Sequence, residues 1–164
     1  MKRDYGVFQV GLKILLRKGD KVLLLRMNDD DQWLDLPGGR IDNVEYRVPL
    51  EKIIAREIRE ELGPRVRYAL GKPLFCFRRQ RHNKDANAKF VFLVVYDAVW
   101  KAGDIKLSFE HCAYEWVDTD AYVLKRSDFG QGEEYQSFRG YFANLKSKKI
   151  LRRPQGMRRR DKRY

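Results

Sequence analysis

The order of its segments predicts an α/β fold, with a mixed sheet that helices cover on both faces. Two apolar runs at residues 9–17 and 22–27 flank a polar KGDK segment and predict a β-hairpin. A helix-forming segment, further β-forming segments and a second helical segment follow in that order. A chain of 164 residues is long enough to bury a core of its own, so we expect a single domain.

The middle of the chain predicts a long loop and then a helix. Residues 28–48 are mostly polar around a PGG triplet, which favours a loop. The segment LEKIIAREIREEL at 50–62 contains neither Gly nor Pro, and Pro49 precedes it at a position that helices tolerate. Gly63 and Pro64 follow and end the predicted helix.

The second half of the chain predicts three strands and a second helix. Residues 74–80, 89–100 and 113–118 are rich in aromatic and β-branched side chains, which favour strands. Residues 119–125 predict the start of a short helix. Residues 133–146 space four aromatic side chains with helical periodicity, and we expect this stripe to pack on the sheet.

Composition disfavours a membrane protein and favours the cytoplasm. The apolar runs are far shorter than the ~18 residues that span a bilayer, so no membrane partner is expected. The N-terminal segment lacks the long apolar stretch of a secretory signal. Cys76 and Cys112 form neither a disulfide framework nor a metal-binding motif, which fits a reducing compartment.

The basic charge is confined to one end of the chain. The net charge is +12, and residues 146–164 contain ten Lys or Arg residues and one Asp. This end therefore carries +9 and leaves +3 for residues 1–145. We predict a folded domain over residues 1–145 and a basic C-terminal tail over residues 146–164.

The predicted helix at 50–62 carries acidic residues on its apolar face. At 100° per residue, Glu57, Glu60 and Glu61 fall within or beside the arc of the isoleucines in this helix. Carboxylates this close repel one another, and burial disfavours their charged forms unless cations join them. The single guanidinium of Arg56 does not neutralise three carboxylates.

Two explanations of this pattern are open at this point. A hard divalent cation such as Mg²⁺ would resolve the conflict, because it accepts carboxylate oxygens together with water and phosphate oxygens. Alternatively, loose packing near Gly63 leaves Glu60 and Glu61 exposed to solvent, where they need no partner.

Together with the loop before it, this helix resembles the signature of the Nudix hydrolase family. The signature reads G-x5-E-x7-R-E-U-x-E-E-x-G-U, in which U is a bulky aliphatic residue. Gly39 is followed after five residues by Glu45, and residues 56–63, REIREELG, match the second half at every position. The resemblance extends over roughly residues 6–145 and implies a Nudix-like α/β/α sandwich with a mixed central sheet.

The chain departs from the signature at the junction between loop and helix. Ten residues separate Glu45 from Arg56 where the family has seven, which indicates a three-residue insertion around residues 47–49. Pro64 stands where an aliphatic residue is usual. The charged residues of the helical part of the signature are all present.

The resemblance implies a Mg²⁺-dependent hydrolase that splits a phosphoanhydride, with Mn²⁺ as an alternative ion. Glu57, Glu60 and Glu61 would ligate the metal together with the main-chain carbonyl of Gly39. Arg56 would orient one of the glutamates through a charge-assisted contact. The resemblance therefore assigns catalytic roles to this arginine and to the three glutamates.

A further acidic residue is expected from the segment FEHCAYEWVD at 109–118, where family members often hold another ligand. Glu110 is our candidate for this catalytic and metal-binding position, either as a ligand or as the general base. Glu115, Glu133 and Glu134 are alternatives. An ordinary loop residue is an equally good interpretation of Glu110.

Candidates for substrate binding come from the glycine loop and from a basic segment. Gly38 and Gly39 let the main chain approach phosphate and metal closely, and Arg40 follows them. The basic segment contains Arg78, Arg79, Arg81, His82 and Lys84. It fits phosphate binding through Arg78 and Arg79, and it also fits a solvated turn.

Three functions are compatible with these patterns. The first is hydrolysis of small nucleoside diphosphate derivatives, such as nucleotide sugars or nucleotides. The second is removal of pyrophosphate or a cap from RNA 5′ ends, with the basic tail as an electrostatic arm, although the domain itself lacks a large basic excess. The third is a non-catalytic binding module, which the intact glutamates disfavour. A homodimer is also open, since family members often pair.

Two markers of substrate class are missing. Family members that hydrolyse ADP-ribose usually carry a proline about fifteen residues after the signature, where this chain has Arg79. The tyrosine associated with dinucleoside polyphosphates is missing near the same position. The sequence therefore leaves the substrate open within the first function.

Overall fold

The computed structural model describes residues 3–80 and 90–152, with side chains up to residue 147. Two α-helices in these residues are α1 (Leu50–Leu62) and α2 (Gly132–Arg152). The strands are β1 (Phe8–Lys18), β2 (Lys21–Met27), β3 (Leu34–Asp35), β4 (Gly38–Arg40), β5 (Arg67–Gln80), β6 (Phe90–Ala102) and β7 (His111–Asp118).

The strands form one mixed sheet with the order β3-β2-β1-β6-β5. Strands β1 and β6 run parallel, and the other pairs are antiparallel, including β7 on the outer side of β2. The β1–β2 hairpin is paired only beside its turn, at Arg17↔Val22 and Lys18↔Lys21. Farther along, β4 pairs with β1 and β3 pairs with β2. The two glycines of the PGG triplet are therefore built into the middle of the sheet.

Two apolar clusters lie on opposite faces of this sheet. The cluster under α1 is made of Leu12, Ile14, Leu16, Leu23, Leu25, Ile53, Ile54, Ile58, Leu62, Val66 and Ala98. The cluster under α2 is made of Leu15, Val22, Leu24, Leu34, Leu36, Phe77, Val91, Leu93, Val95, Val117, Phe129, Phe138 and Phe142. Alternation along β1 and β2 sends neighbouring side chains to different clusters. The predicted α/β/α sandwich with a mixed sheet is confirmed.

The helix α1 begins and ends where its sequence signals predict. Pro49 precedes it with a φ of −54°, and its carbonyl accepts from the amide of Ile53. Gly63 ends it with a φ of +91°, a conformation that side chains with a β-carbon rarely adopt. Ile53, Ile54 and Ile58 are buried, and each contributes about 2 kcal/mol of hydrophobic stabilisation.

Most predicted elements are confirmed, and two are corrected. Residues 119–125 form a turn and an extended segment instead of a short helix, and Arg126–Asp128 follows as a single 3-10 turn. The predicted loop at 28–48 contains β3, β4 and a 3-10 turn at Asn43–Glu45. These elements have two or three residues each, which is too short to produce a periodic pattern.

The described residues include the second helix but only part of the two basic segments. The aromatic stripe of α2 packs on the sheet as predicted, and the helix continues past residue 146 to Arg152. The rest of the predicted tail lies outside the described residues, as do Arg81, His82 and Lys84. Among the helices of residues 3–80 and 90–152, we find none long and apolar enough to cross a membrane.

Candidate active site

A cleft of about 510 Å³ joins α1 to the start of α2 around the middle of the sheet. The residues at its α1 end are Gly38, Gly39, Arg40, Asp42, Arg56, Glu57, Glu60 and Glu61. Its floor includes Lys13, Asp35, Arg79 and Glu134, and its far wall includes Met27, Trp33, Leu34, Gly130 and Gln131. Glu110 and His111 line it from the start of β7. The volume suits a small molecule about the size of a nucleotide.

The three glutamates of α1 that line the cleft differ in exposure. Glu57 and Glu61 are 9% and 4% exposed, whereas the side chain of Glu60 is 57% exposed. The explanation that loose packing near Gly63 exposes both Glu60 and Glu61 is therefore wrong for Glu61. Of the two, only Glu60 is exposed. Two carboxylates are held at the buried boundary between α1 and the sheet, as the helical wheel indicates.

Gly38 and Gly39 hold these buried carboxylates by their main chain. The amide of Gly38 donates to Oε2 of Glu61 at 2.7 Å. Gly38 has a φ of +125°, and a β-carbon there would collide with the carbonyl of Leu12. A β-carbon on Gly39 would overlap the carboxylate of Glu57. Glycine at both positions therefore lets α1 approach β4 closely enough to place the glutamates in the cleft.

Arg56 contacts three carboxylates at once. It donates to both oxygens of Glu45, from Nε at 2.7 Å and from Nη2 at 2.9 Å. Nη2 also lies 2.9 Å from Oε1 of Glu57, and Nη1 lies 2.9 Å from Oε2 of Glu60. The hydrogen bonds with Glu45 and the neighbouring carboxylates raise the pKa of Arg56, and the same bonds lower the pKa of Glu45.

The insertion around residues 47–49 preserves the contact between Glu45 and Arg56. Glu45 sits in the 3-10 turn, where its Oε2 accepts from the amide of Asp42 at 3.0 Å. Its carbonyl accepts from the amide of Val48 at 2.8 Å, and Val48 packs on the cluster under α1. The extra residues are therefore absorbed between the turn and α1, and Glu45 still reaches the helix.

Burial makes the two inner glutamates weaker acids. It raises the pKa of Glu57, although the cation of Arg56 opposes the shift. It raises the pKa of Glu61 to about 7, although Lys13 and the amide of Gly38 favour the charged form. The negative charge at this end of the cleft is therefore only partly compensated by the chain itself.

The floor of the cleft is a line of alternating charges. Nζ of Lys13 lies 2.9 Å from Oδ2 of Asp35, and Nη2 of Arg79 lies 3.2 Å from Oδ1 of Asp35. The same Nη2 of Arg79 donates to Oε1 of Glu134. Asp35 also accepts from the amide of Leu36 at 2.8 Å. Burial opposes ionisation of Asp35, but the two cations outweigh it and hold its pKa well below the usual range.

The predicted site residues fall into two groups. Gly38, Gly39, Arg40, Arg56, Glu57, Glu60, Glu61, Arg79 and Glu110 line the cleft. Arg78 is not among the lining residues, and it is paired with Glu133 on the surface at 2.7 Å. Of the alternatives to Glu110, Glu134 lines the cleft beside Arg79, whereas Glu115 lies on β7 outside it. The roles assigned to these residues stay predictions.

The lining residues that sequence reasoning missed include Lys13, Trp33, Asp35 and His111. Lys13 had a signal, because it is a charged residue inside an otherwise apolar strand. His111 is 4% exposed, and neither of its ring nitrogens has a hydrogen-bond partner among the described residues. Burial lowers its pKa, which disfavours the charged form of the imidazole. No local pattern marks it, because its burial results from long-range packing.

The oxygen donors at the α1 end suit a hard divalent cation. Glu57, Glu60 and Glu61 offer carboxylate oxygens, and the charge of buried Glu57 and Glu61 is only partly compensated. In residues 3–80 and 90–152 no three acidic, His or Cys side chains are already grouped closely enough to hold an ion. Two nitrogens of Arg56 instead hold Glu57 and Glu60.

Comparisons with known proteins agree with this fold. A family model described as NUDIX domain matches residues 7–138. A MutT protein from Methanosarcina mazei Go1 shares 24% identity at a TM-score of 0.62, over 90% of this chain and 99% of that one. A UDP-X diphosphatase shares 15% identity at a TM-score of 0.62, over 89% and 66% of the two chains.

A third solved structure has the same fold. An ADP-ribose pyrophosphatase from Streptococcus suis shares 15% identity at a TM-score of 0.57, over 85% of this chain and 92% of that one. None of the curated proteins matches the chain. At these identities the structural likeness shows the fold, and the family model shows the family because it covers most of the sequence. The chain belongs to the Nudix hydrolase family.

Proposed function

We propose that this protein hydrolyses a phosphoanhydride bond in a small molecule linked to a nucleoside diphosphate, with Mg²⁺ or Mn²⁺ as cofactor. The observation that carries this proposal is the meeting of buried Glu57 and Glu61 with the glycine main chain in a nucleotide-sized cleft. Two proteins with the same fold are named UDP-X diphosphatase and ADP-ribose pyrophosphatase, which is consistent with an anhydride substrate.

The cofactor would be held by the carboxylates of Glu57, Glu60 and Glu61, with the carbonyl of Gly39 as a further oxygen donor. When bound, a divalent cation offsets the charge of the diphosphate and lowers the pKa of the attacking water. Arg56 contacts one oxygen of Glu57 and one of Glu60, so the second oxygen of each carboxylate would serve as the metal ligand. Glu45 fixes the guanidinium of Arg56 through two hydrogen bonds.

Other residues of the chain bind and orient the substrate. Arg40 lines the cleft and supplies positive charge toward phosphate oxygens, and Arg79 lines the floor, where Asp35 and Glu134 balance its charge. Glu110 lines the same cleft on an exposed loop, where its carboxylate is available as a general base or as a further ligand. Its main chain is held in place, because the amide of Asn28 donates to its carbonyl at 2.8 Å.

A small molecule is favoured over RNA because the cleft is lined by residues of the domain itself. The basic excess that suggests RNA lies toward the C-terminal end, mostly outside the described residues. The cleft volume of about 510 Å³ suits a ligand of nucleotide size. These features fit one nucleotide and a short leaving group.

The test is a substrate screen combined with a charge-neutral substitution. Nucleoside diphosphate sugars, dinucleoside polyphosphates, nucleoside triphosphates and 5′-triphosphate RNA are incubated with Mg²⁺, and released phosphate or phosphomonoester is measured. Glu57→Gln should lower kcat at least ~10³-fold, because charge stabilisation worth several kcal/mol is lost. The melting temperature in EDTA should not fall, since a repelled buried charge is removed.

The matched control is Glu51→Gln, which changes an exposed glutamate on the same helix outside the cleft. It should keep kcat within a factor of two. Full activity of Glu57→Gln, or activity of the wild type that is independent of divalent metal, would contradict the proposed function.

A further inference from the structure

Trp33 forms part of the far wall of the cleft, on the side of α2. Its side chain is partly exposed and lines the cleft, whereas the residues on either side are an exposed turn and a buried strand. The family signature begins at Gly39, so Trp33 lies upstream of it and outside it. The α1 end takes the phosphates under the proposed function, so this wall faces the remaining part of the substrate.

The main chain around Trp33 is held in a conformation that needs support. Gln32 has a φ of +48°, the left-handed region that non-glycine residues rarely adopt. Its amide donates to Oδ1 of Asp29 at 2.8 Å, and its carbonyl accepts from Nη1 of Arg26 at 3.2 Å. The carbonyl of Trp33 accepts from the amide of Met27 at 3.0 Å. Three hydrogen bonds therefore hold the turn that aims Trp33 at the cleft.

The segment before α2 supports the indole from the other side. A β-carbon on Gly130 would lie 2.8 Å from Cζ3 and 2.9 Å from Cε3 of Trp33. The absence of a side chain at Gly130 thus lets the main chain pack directly on the six-membered ring. Arg26 also contacts Asp128 at 3.1 Å, which ties this segment to β2. The indole is therefore preorganised, because it packs on the main chain of Gly130 and is carried by a hydrogen-bonded turn.

We propose that Trp33 is a stacking platform for the nucleobase of the substrate, and this inference rests on the proposed function. Aromatic rings prefer offset contact with another flat π-system, and stacking of one base contributes substantially to affinity. Met27 and Leu34 extend the apolar lining beside the indole. The arrangement presents an aromatic and aliphatic surface to a flat ring, at the opposite end from the carboxylates.

Gln131 and Glu134 near this wall are engaged within the protein, whereas the ring nitrogens of His111, which is paired with Met27 in the sheet, have no hydrogen-bond partner among the described residues. Nε2 of Gln131 donates to the carbonyl of Gln80 at 3.0 Å, and Oε1 accepts from its amide at 3.0 Å. Glu134 is paired with Arg79 on the floor. Stacking on the face of a base tolerates different bases, because it does not depend on hydrogen bonds to the ring edges. The subsite therefore accepts purine and pyrimidine nucleotides alike, with purines bound more tightly because they offer a larger face.

The experiment measures binding of compounds that contain no bond for the enzyme to split. AMP, UMP and ribose 5-phosphate are titrated into the full-length protein in EDTA by calorimetry. Trp33→Ala should weaken AMP and UMP binding by roughly 5- to 100-fold, and Trp33→Phe by less than about 5-fold. Binding of ribose 5-phosphate, which lacks the base, should change less than twofold in both variants.

A second pair of variants tests the wall without removing the indole. Gly130→Ala places a β-carbon against the ring and should weaken AMP binding, while Gly132→Ala should leave it unchanged. A β-carbon at Gly132 meets no atom within 4 Å among the described residues, so it is the matched control. Circular dichroism melts of all four variants check that the fold is retained.

Fluorescence gives an independent signal. The ring centroids of the other tryptophans, Trp100 and Trp116, lie 5.5 Å apart, and neither residue lines the cleft. AMP should therefore quench the emission of the wild type and leave that of Trp33→Phe unchanged.

The proposal is overturned by unchanged AMP affinity in Trp33→Ala, or by an equal loss for AMP and ribose 5-phosphate, which would indicate contact with the sugar. It is also overturned if the wild type binds no nucleoside monophosphate. Each of these outcomes is independent of hydrolysis, so it is distinguishable from failure of the proposed function.

Discussion

Two groups of buried charges share the cleft and differ in how the chain neutralises them. On the floor, Asp35 lies between Lys13 and Arg79 at 2.9 and 3.2 Å, and its pKa is held well below the usual range. At the α1 end, Glu61 is buried to the same extent, yet its pKa is raised to about 7. Burial opposes the charge in both places, so the difference comes from the cations supplied nearby.

The charges on the floor balance one another, whereas those at the α1 end do not. The floor alternates positive and negative side chains and carries no net charge. The α1 end has more carboxylates than cations, and Arg56 divides its contacts among three of them. A complete network stabilises the protein by itself, whereas an incomplete one leaves room for an external cation. Three predictions test this distinction, in order of decreasing effect.

The largest effect is expected on the floor. Asp35→Asn keeps the size of the side chain but leaves Lys13 and Arg79 without their shared carboxylate. Removal of one partner from a buried ion pair typically costs about 3–5 kcal/mol, because the other charge stays buried. We expect the free energy of unfolding in urea to fall by this amount.

Two further variants sharpen this measurement. Asp104→Asn breaks an exposed pair with Arg65 and should have little effect. The double variant Lys13→Met/Asp35→Leu should lose less stability than Asp35→Asn alone, since no unpaired Lys remains. Equal stability of Asp35→Asn and Asp104→Asn would show that the floor network does not stabilise the fold.

An intermediate effect is expected from pH at the α1 end. The folded protein raises the pKa of Glu61 from 4.5 to about 7, so it binds this proton more tightly than the unfolded chain does. The resulting stability is present below pH ~4.5 and is lost as the pH rises to about 7. In EDTA, we expect the free energy of unfolding to fall by roughly 2–3 kcal/mol across this window.

The same window identifies the group responsible. Glu61→Gln should reduce the pH dependence and leave the part that comes from the raised pKa values of Glu57 and Glu134, while Glu51→Gln should preserve all of it. The lowered pKa of Asp35 acts only at more acidic pH and does not interfere. A wild-type stability that rises between pH 5 and pH 7 in EDTA would contradict an incomplete charge group at this end.

The smallest effect is expected from the exposed ion pair Arg78–Glu133, which neighbours a buried pair of the same residue types on the floor. Arg78–Glu133 and Arg79–Glu134 join neighbouring residues of β5 and α2. Arg78 and Glu133 are exposed, so solvent screens their attraction. We expect Arg78→Ala to leave the urea midpoint unchanged and Arg79→Ala to lower it clearly. Equal shifts in the two variants would remove the distinction between the surface and the floor.

The sequence predicts these regions unequally well. The apolar face of α1 identifies the position of Glu57 and Glu61, because helical periodicity is a local property. It does not separate exposed Glu60 from its neighbours, since exposure depends on how closely β4 packs on the helix. Only one feature of the sequence indicated the floor network, namely a lysine within an apolar strand. No local pattern connects Lys13 with its partner Asp35, which lies 22 positions away.

The outcome at the insertion illustrates the same limit. The spacing places three extra residues between Glu45 and Arg56, which left the role of Glu45 open. The structure shows the two side chains in contact, because the 3-10 turn carries Glu45 beside α1 and the extra residues are accommodated between this turn and the helix. Spacing along the chain therefore does not determine distance where a turn intervenes.

By itself, the sequence determined the α/β class, the helix with its carboxylates and the resemblance to a family, because these depend on local periodicity and on a contiguous motif. The tertiary structure decided which glutamates are buried, how Glu45 reaches Arg56, what neutralises the floor, and where Trp33 meets Gly130. Those contacts join residues as far apart as 55 positions or more, as in Arg79 and Glu134. They arise from packing between elements, and pairwise contacts of that kind leave no periodic trace in the sequence.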